Sequence, residues 1–183
     1  MDKFLLDRND VALVIVDIQE RLVPAVGAKD DVVRNCQHLI EAAKLLVFPV
    51  LVTEQYPKGL GTTIAEIRDA LPAYRPIIKT SFSCCGEPTF LEAIKVLGRR
   101  KLLLTGMEAH VCVLQTALDL MMEGFEVHLV KDAVCSRTKA NWRTGVEFMR
   151  DAGAVVTSTE TVLFQLLKTA GGDAFKSLSK RIR

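Results

Sequence analysis

Val11-Ala12-Leu13-Val14-Ile15-Val16-Asp17 sets the architecture to be expected of this chain. Its six successive apolar residues lack the alternation of a strand that faces water on one side. An unbroken apolar run that ends at a first charge is typical of a strand buried on both faces in a parallel sheet. The stretch therefore predicts a central strand that presents Asp17 at its carboxyl end.

Similar apolar runs recur along the chain, with helical patterns between them. The further predicted strands cover residues 49–53, 77–82, 101–104, 125–130 and 154–157. The predicted helices cover residues 30–46, 87–97, 111–122, 139–151 and 159–168, and three of them should end at Gly98, Gly124 and Gly153. Repeated strand–helix alternation requires right-handed crossovers. We therefore predict an α/β fold in three layers, with a doubly wound, mostly parallel, six-stranded sheet of Rossmann-like topology.

Length and composition fit one ordinary globular domain. Of 183 residues, 49% are apolar and 25% are charged. We expect one domain over residues 1–183, with a core at about 10–168 and a basic, solvated tail at 173–183. A formal net charge of +2 is too small to indicate a nucleic-acid or anionic-membrane partner, so a small-molecule partner is expected.

Three features indicate the cytoplasm. Residues 1–10 alternate charged and apolar side chains, so they lack the apolar core of a signal peptide. The longest apolar run, around residues 45–52, is too short to span a membrane. Five irregularly spaced cysteines fit a reducing compartment better than a disulfide framework.

Cys112 lies where an apolar strand meets Gly106 and then an amphipathic helix. A thiol in the first turn of a helix faces a partial positive charge and unpaired N–H groups, which favour the nucleophilic thiolate. The same N–H groups could stabilise the oxyanion that forms when a carbonyl is attacked. A small apolar side chain packed under the sheet fits this position equally well.

Asp17 and Lys79 each stand at the carboxyl end of a predicted strand. A partly desolvated carboxylate suits proton transfer, although helix capping fits the position of Asp17 equally well. Lys79 follows Ile78 and needs a carboxylate partner if it is partly buried. Asp17 can be that partner if both strands end at one edge, and an Asp–Lys pair could then activate Cys112. Gln19 would point the same way as Asp17 if the chain stayed extended.

Metal, cofactor and cysteine–histidine patterns are not favoured. On a helix the side chains of His110 and Cys112 diverge, and His38 and His128 fit structural positions. The chain has neither paired histidines at ligand spacing nor a CxxC motif, so we predict no metal site. Residues 17–21 lack a GxGxxG motif, so we expect no dinucleotide and no other cofactor.

A loop and a cysteine pair near these residues can each be interpreted in more than one way. The irregular section at residues 55–63 follows a strand's carboxyl end, where open α/β sheets build ligand sites, so it could cover a pocket or be a plain surface loop. The vicinal pair Cys84-Cys85 lacks the spacing of a redox motif and is assigned no chemistry.

Four segments together resemble the isochorismatase-like cysteine hydrolase superfamily, which includes nicotinamidases and N-carbamoylsarcosine amidohydrolases. They contain Val16-Asp17-Ile18-Gln19, Ile78-Lys79-Thr80-Ser81, Gly106-Met107-Glu108-Ala109-His110-Val111-Cys112 and Lys131-Asp132-Ala133. Each segment alone is unspecific, but their order and spacing agree with the family over about residues 10–167.

The resemblance implies a family triad at Asp17, Lys79 and Cys112. It also implies a cis peptide between Met107 and Glu108, which would aim the Glu108 N–H at the same point as the Cys112 N–H and form an oxyanion hole. Many relatives form dimers or larger rings, so a homo-oligomer is implied as well. Metal-binding nicotinamidases carry an Asp-x-His segment, whereas residues 53–61 here contain no histidine, so a zinc-dependent reaction is disfavoured. Isochorismatase itself cleaves a vinyl ether without a cysteine nucleophile, so that reaction is disfavoured too.

The preferred hypothesis is a metal-independent cysteine hydrolase that cleaves a small amide, carbamoyl or related acyl compound through a thioester. Gln19, Gln55 and Tyr56 are predicted to line its substrate pocket. A catalytically weak family member that binds a ligand or a protein is the alternative. A thiol-redox role, motivated by Cys84-Cys85, is a third possibility.

Overall fold

In the computed structural model, which describes residues 1–182, six parallel strands form one sheet with helices on both faces. The strands are β1 (Val11–Val16), β2 (Val50–Gln55), β3 (Ile77–Lys79), β4 (Lys101–Met107), β5 (Glu126–Cys135) and β6 (Val155–Thr157). The helices are α1 (Lys29–Leu46), α2 (Pro57–Leu60), α3 (Ala65–Arg68), α4 (Pro88–Val96), α5 (Cys112–Met122), α6 (Lys139–Asp151), α7 (Thr159–Leu167) and α8 (Gly172–Arg181). The predicted fold class is confirmed.

The order of the strands places the site. Across the sheet the order is β3-β2-β1-β4-β5-β6, and every pairing is parallel. From β1 the chain winds outward to β3, returns to β4 beside β1, and then winds outward in the other direction. In open α/β sheets the crevice at such a switch point, at the carboxyl ends of the strands, is where ligands bind. The ends of β1 and β4 therefore define the candidate site.

The two faces of the sheet explain the unbroken apolar run of β1. Leu13 and Ile15 belong to the core beneath α1, α7 and α8, whereas Val14 and Val16 belong to the core beneath α4, α5 and α6. Alternate residues of a strand point to opposite faces, and both faces are covered. Because neither face of β1 meets water, its sequence contains no polar residue.

Several segments differ from the sequence prediction, and β3 ends at Lys79, before its predicted end at residue 82. Residues 57–60 and 65–68, which lie in and just after the predicted irregular section, form the short helices α2 and α3. β4 and β5 run beyond their predicted ends at 104 and 130, because their pairing resumes after a register shift with Gly106 opposite Val134 and Met107 opposite Cys135. The added end of β5 holds the loop before Cys112, since the Cys135 carbonyl accepts from the Ala109 N–H.

The prediction of a solvated tail at 173–183 is wrong for most of that segment. Residues up to Arg181 form α8, which packs against α1 and buries Leu178 completely. The segment is amphipathic, with Lys176 and Lys180 on its exposed side, and its few apolar residues suffice to hold it on the core. Arg183 lies outside the described residues.

None of the helices in the described part of the chain combines the length and apolar character that crossing a bilayer demands. The cytoplasmic localisation stays a prediction.

Candidate active site

Asp17 immediately follows β1 and has no exposed surface. Its backbone is left-handed, with φ of 52°, a conformation that aspartate tolerates better than most residues. Its carboxylate accepts a hydrogen bond from Thr53 Oγ1 at 2.7 Å on Oδ1 and pairs with Lys79 Nζ at 2.7 Å on Oδ2. The turn thus delivers a buried, oriented carboxylate to the switch point.

Lys79 is the last residue of β3, and only 1% of it is exposed. Besides Asp17, its ammonium donates to Gln55 Oε1 at 2.7 Å and to the carbonyls of Ser81 and Phe82 at 3.2 and 3.1 Å. All four partners are oxygen acceptors, which is what a buried ammonium requires. The pairing of Asp17 with Lys79 anticipated from their strand-end positions is therefore present, across a strand that separates β1 from β3.

Cys112 is the first residue of α5 and is 6% exposed. The pKa of its thiol is raised to about 12, first by burial and then by the negative charge of Asp17, while the Lys79 ammonium lowers it. A hydrogen bond between the thiol and Asp17 acts in the raising direction as well. The expectation that the helix terminus favours a resting thiolate is wrong, because burial and the neighbouring carboxylate outweigh it. The three side chains do lie together, since Asp17 pairs with Lys79 and hydrogen-bonds the Cys112 thiol.

The loop between β4 and α5 contains the cis peptide between Met107 and Glu108. The loop is tied to the end of β5: the Ala109 N–H donates to the Cys135 carbonyl at 2.8 Å, and Glu108 Oε2 accepts from the Arg137 N–H at 2.9 Å. Within residues 1–182 neither the Glu108 N–H nor the Cys112 N–H has a hydrogen-bond acceptor. Both predicted oxyanion donors thus lack a protein acceptor in the described residues, and their role stays a prediction.

Two glycines let the backbone reach this geometry. Gly106 has φ of 111°, and a Cβ there would lie 2.0 Å from the Val16 carbonyl oxygen of β1. On α6, a Cβ at Gly145 would lie 2.6 Å from the Ala109 carbonyl oxygen. β4 and α6 can approach the site only because both side chains are missing.

Gln19, predicted to line a substrate pocket, makes contacts of another kind. Because Asp17 turns the chain, residues 17–19 are not extended as the prediction assumed. Gln19 is fully buried; its Nε2 donates to the carbonyls of Gln55 and Gly61, and its Oε1 accepts from the Gln55 N–H at 2.7 Å. These contacts join two loops, and a substrate contact for Gln19 stays a prediction.

Gln55 and Tyr56 differ in what their side chains contact. The Gln55 amide is occupied by Lys79 Nζ and by the Thr80 carbonyl, so it supports the lysine. Tyr56 is 54% exposed and lies at the start of α2, beside Gly59, with a left-handed backbone at φ of 37°. Of the three predicted pocket residues, Tyr56 alone presents a largely exposed side chain.

The sequence patterns did not indicate the residues that hold Asp17 and the strand ends around it in place. Thr53 orients Asp17, and Cys84 Sγ in turn donates to Thr53 Oγ1 at 3.7 Å. Glu54 is buried and binds Thr63 and Tyr74, which fixes the loop after β2. The position of Thr53, a polar residue at the end of the apolar run 49–53, could have indicated its role beside Asp17. The described residues contain no group of three or more His, Cys, Asp or Glu side chains arranged to hold a metal ion.

A family model described as Isochorismatase domain matches residues 11–161. The chain belongs to the isochorismatase family and has the hydrolase fold of that family.

Relatives agree over most of the chain. The isochorismatase domain-containing protein 1 of Danio rerio is 39% identical over 167 residues, which are 91% of this chain and 59% of the relative. The chain thus spans about three fifths of that relative's length. The secreted isochorismatase effector Isc1 of Phytophthora sojae is 40% identical over 175 residues, which are 93% of this chain and 83% of the relative.

Solved structures match closely as well. The MAR1 ribonuclease of Caenorhabditis elegans is 37% identical with a TM-score of 0.90, covering 97% of this chain and 92% of that one. The YcaC gene product of Escherichia coli, described as an octameric hydrolase of unknown specificity, is 26% identical with a TM-score of 0.91, covering 97% and 90%. YcaC from Pseudomonas aeruginosa, solved with covalent acrylamide, is 25% identical with a TM-score of 0.91, covering 97% and 91%.

Proposed function

We propose that this protein is a metal-independent cysteine hydrolase that cleaves a small amide, carbamoyl or related acyl compound through a thioester. One observation carries the proposal: the Cys112 thiol meets the buried Asp17–Lys79 pair at the switch point, near two N–H groups that find no acceptor among residues 1–182. A nucleophile, a proton acceptor and oxyanion donors in one crevice are the parts that acyl transfer requires.

The first half-reaction forms the thioester. Since the thiol has a pKa of about 12, its proton must leave as Sγ attacks the carbonyl carbon, and Asp17 accepts that proton. The carbonyl oxygen becomes an oxyanion that the Glu108 and Cys112 N–H groups stabilise. Asp17 then donates the proton to the leaving amine, and the C–N bond breaks.

The second half-reaction returns the enzyme to its starting form. Asp17 takes a proton from water, the hydroxide attacks the thioester carbon, and the C–S bond breaks to release a carboxylic acid. The thiolate is reprotonated through Asp17.

The supporting residues keep the pair in place. The Lys79 ammonium offsets the negative charge that develops in the crevice, and Gln55 and Thr53 act as positioning residues for Lys79 and Asp17 respectively. Tyr56, exposed and next to Gln55 in the chain, is proposed to contact the substrate, and Gln19 fixes the end of β2 that carries Gln55. A relative with covalent acrylamide supports a reactive nucleophile in this fold, since acrylamide is an electrophile that thiols attack.

The test compares wild type with Cys112→Ala and with the matched control Cys85→Ala, a half-buried thiol outside the triad. Small amides, carbamoyl compounds and ureides are screened for release of ammonia or amine, and intact-mass spectrometry detects an acyl adduct. We expect turnover and the adduct in wild type and Cys85→Ala only. Full hydrolysis by Cys112→Ala would remove the mechanism.

RNA cleavage is a second candidate, favoured by the 37% identity to the MAR1 ribonuclease. A crevice in which the nucleophile is 6% exposed suits a small acyl compound better than a polymer. Incubation of a fluorescent RNA with wild type and Cys112→Ala separates the two activities: cleavage that disappears in the variant would favour the ribonuclease. A family member that only binds would show neither adduct nor turnover.

We also propose that the chain forms a homo-oligomer, supported by the octameric YcaC gene product. Light scattering coupled to gel filtration measures the assembly, and a mass of 20.2 kDa in solution would refute it.

A further inference from the structure

A cavity of about 570 Å³ opens between the first turns of α1 and α6 and the carboxyl end of β5. Its volume is in the range of pockets that hold small ligands. Its lining does not include Asp17, Lys79 or Cys112. The proposed mechanism therefore leaves this cavity without a use.

The charges around the cavity do not cancel. Its basic lining residues are Arg34, Lys131, Arg137 and Lys139, and its acidic ones are Asp31 and Asp132. Arg34 pairs with Asp31 at 2.6 Å, and Arg137 pairs with Glu108 at 3.2 Å.

One net positive charge remains at the rim. In the chain up to residue 182, Lys131 and Lys139 form no ion pair, and the Asp132 carboxylate, whose Oδ1 accepts from the N–H and hydroxyl of Thr159, offsets one of the two ammonium charges. The first turn of α6 has no acidic residue to offset its positive end. The rim therefore attracts an anion.

The floor of the cavity is apolar. Val32, Val134 and Cys135 line it, and all three are buried. The Trp142 indole also lines it and is oriented by its Nε1, which donates to the Lys131 carbonyl at 3.2 Å. Gly27 and Ala28, before α1, complete the lining with small residues. An apolar floor under a cationic rim matches a ligand with a flat apolar body and one negative group.

One wall of the cavity also supports the loop that precedes the nucleophile. Residues 135–137 line the cavity, and the same residues bind the loop at 108–110. The contacts are Ala109 N–H to the Cys135 carbonyl, Arg137 N–H to Glu108 Oε2, and His110 Nδ1 to Ser136 Oγ at 3.0 Å. A ligand in the cavity would therefore lie one residue layer from the proposed oxyanion donors.

We infer that this cavity is a binding site for a small aromatic carboxylate, held by Lys131 and Lys139 at the rim and by Trp142 at the floor. The carboxylate could belong to the distal end of the substrate or to a separate effector. The binding itself does not depend on the proposed hydrolysis, so it can be measured in Cys112→Ala.

Trp142 is the single tryptophan of the chain, so intrinsic fluorescence reports on this cavity alone. Benzoate is titrated into the full chain, with benzyl alcohol as the uncharged match. We expect a saturable change with benzoate and an affinity for benzyl alcohol that is weaker by about tenfold. The variant Lys131→Glu/Lys139→Glu should bind benzoate roughly five- to tenfold more weakly, because each exposed ion pair is worth a small factor.

The control variant Arg8→Glu/Arg75→Glu changes the net charge equally at exposed residues before the amino ends of β1 and β3, at the opposite edge of the sheet from the cavity, and should bind benzoate as wild type does. Equal responses to benzoate and benzyl alcohol, or equal losses in both double variants, would overturn the inference. No saturable signal in fluorescence and in calorimetry would overturn it as well.

Alkylation of Cys112 by acrylamide, followed by intact mass, separates the two sources of the ligand. Slower alkylation under saturating benzoate places the cavity within the substrate site. An unchanged rate with a saturated Trp142 signal assigns it to a separate effector, and either result leaves the binding site in place.

Discussion

Lys79→Met tests whether the buried pair is as tightly interdependent as its geometry indicates. Asp17 is fully buried, Lys79 is 1% exposed, and the two charges are 2.7 Å apart. Removing the ammonium leaves the Asp17 carboxylate with the Thr53 hydroxyl and the Cys112 thiol, two uncharged donors, as its side-chain partners among the described residues. Deleting one partner of a buried pair costs about 3–5 kcal/mol, because the other charge stays desolvated and unpaired.

The expected loss can be measured as a change in the free energy of unfolding. A loss of about 4 kcal/mol corresponds to a decrease in Tm of roughly 8–16 °C for a chain of this size. Urea denaturation at neutral pH, followed by far-UV circular dichroism, gives the free energy directly. Lys180→Met on α8 removes an exposed lysine and should change it by less than about 0.5 kcal/mol.

The double variant Lys79→Met/Asp17→Asn separates an unpaired charge from lost packing. It removes both charges while the asparagine can still accept from Thr53, so more than half of the lost stability should return. A single variant within about 1 kcal/mol of wild type would refute the reasoning. A double variant no more stable than the single one would refute it too.

Three further predictions concern the crevice. Gly106→Ala should lose more than about 4 kcal/mol of stability or fail to fold, because its Cβ would lie 2.0 Å from the Val16 carbonyl oxygen; thermal melts check it, and a Tm near wild type would contradict the contact. Wild-type alkylation of Cys112 should keep rising with pH through pH 9 without a plateau, since its pKa is about 12, and Asp17→Asn should speed alkylation by lowering that pKa while abolishing turnover; a plateau near pH 8 would argue against it. Gln55→Leu should lower kcat about tenfold with KM unchanged, because Lys79 loses a charge-assisted hydrogen bond; a change confined to KM would instead indicate a substrate contact.

Most strands and helices could be predicted from local sequence patterns. Runs such as Val11–Val16 can be recognised because burial on both faces removes every polar residue from a strand. Gly98, Gly124 and Gly153 were expected at helix ends, and each follows a helix with positive φ. The segment 173–181 was predicted as a solvated tail because a short, highly charged amphipathic helix looks like one in the sequence. Its packing partner α1 is visible only in the structure.

Only part of the candidate site could be predicted from the sequence. The residue types at Asp17, Lys79 and Cys112 suggested their chemistry, but the partners of Gln19 and Gln55 did not follow from the sequence. Gln19 lies elsewhere than predicted because Asp17 has a left-handed backbone conformation, which a hydrophobic pattern does not reveal. Side-chain amides can bind a ligand or a loop equally well, and the neighbouring backbone decides which.

The sequence by itself determined the alternating strands and helices, the order of the motifs and the identity of the reactive groups, since each depends on residues close together in the chain. Tertiary structure alone decided that Lys79 reaches Asp17 across 62 residues, because parallel strands align their carboxyl ends wherever they lie in the chain. It also decided that the Cys112 thiol keeps its proton at rest. Desolvation and nearby charge set that proton's affinity, and both are properties of the packed crevice.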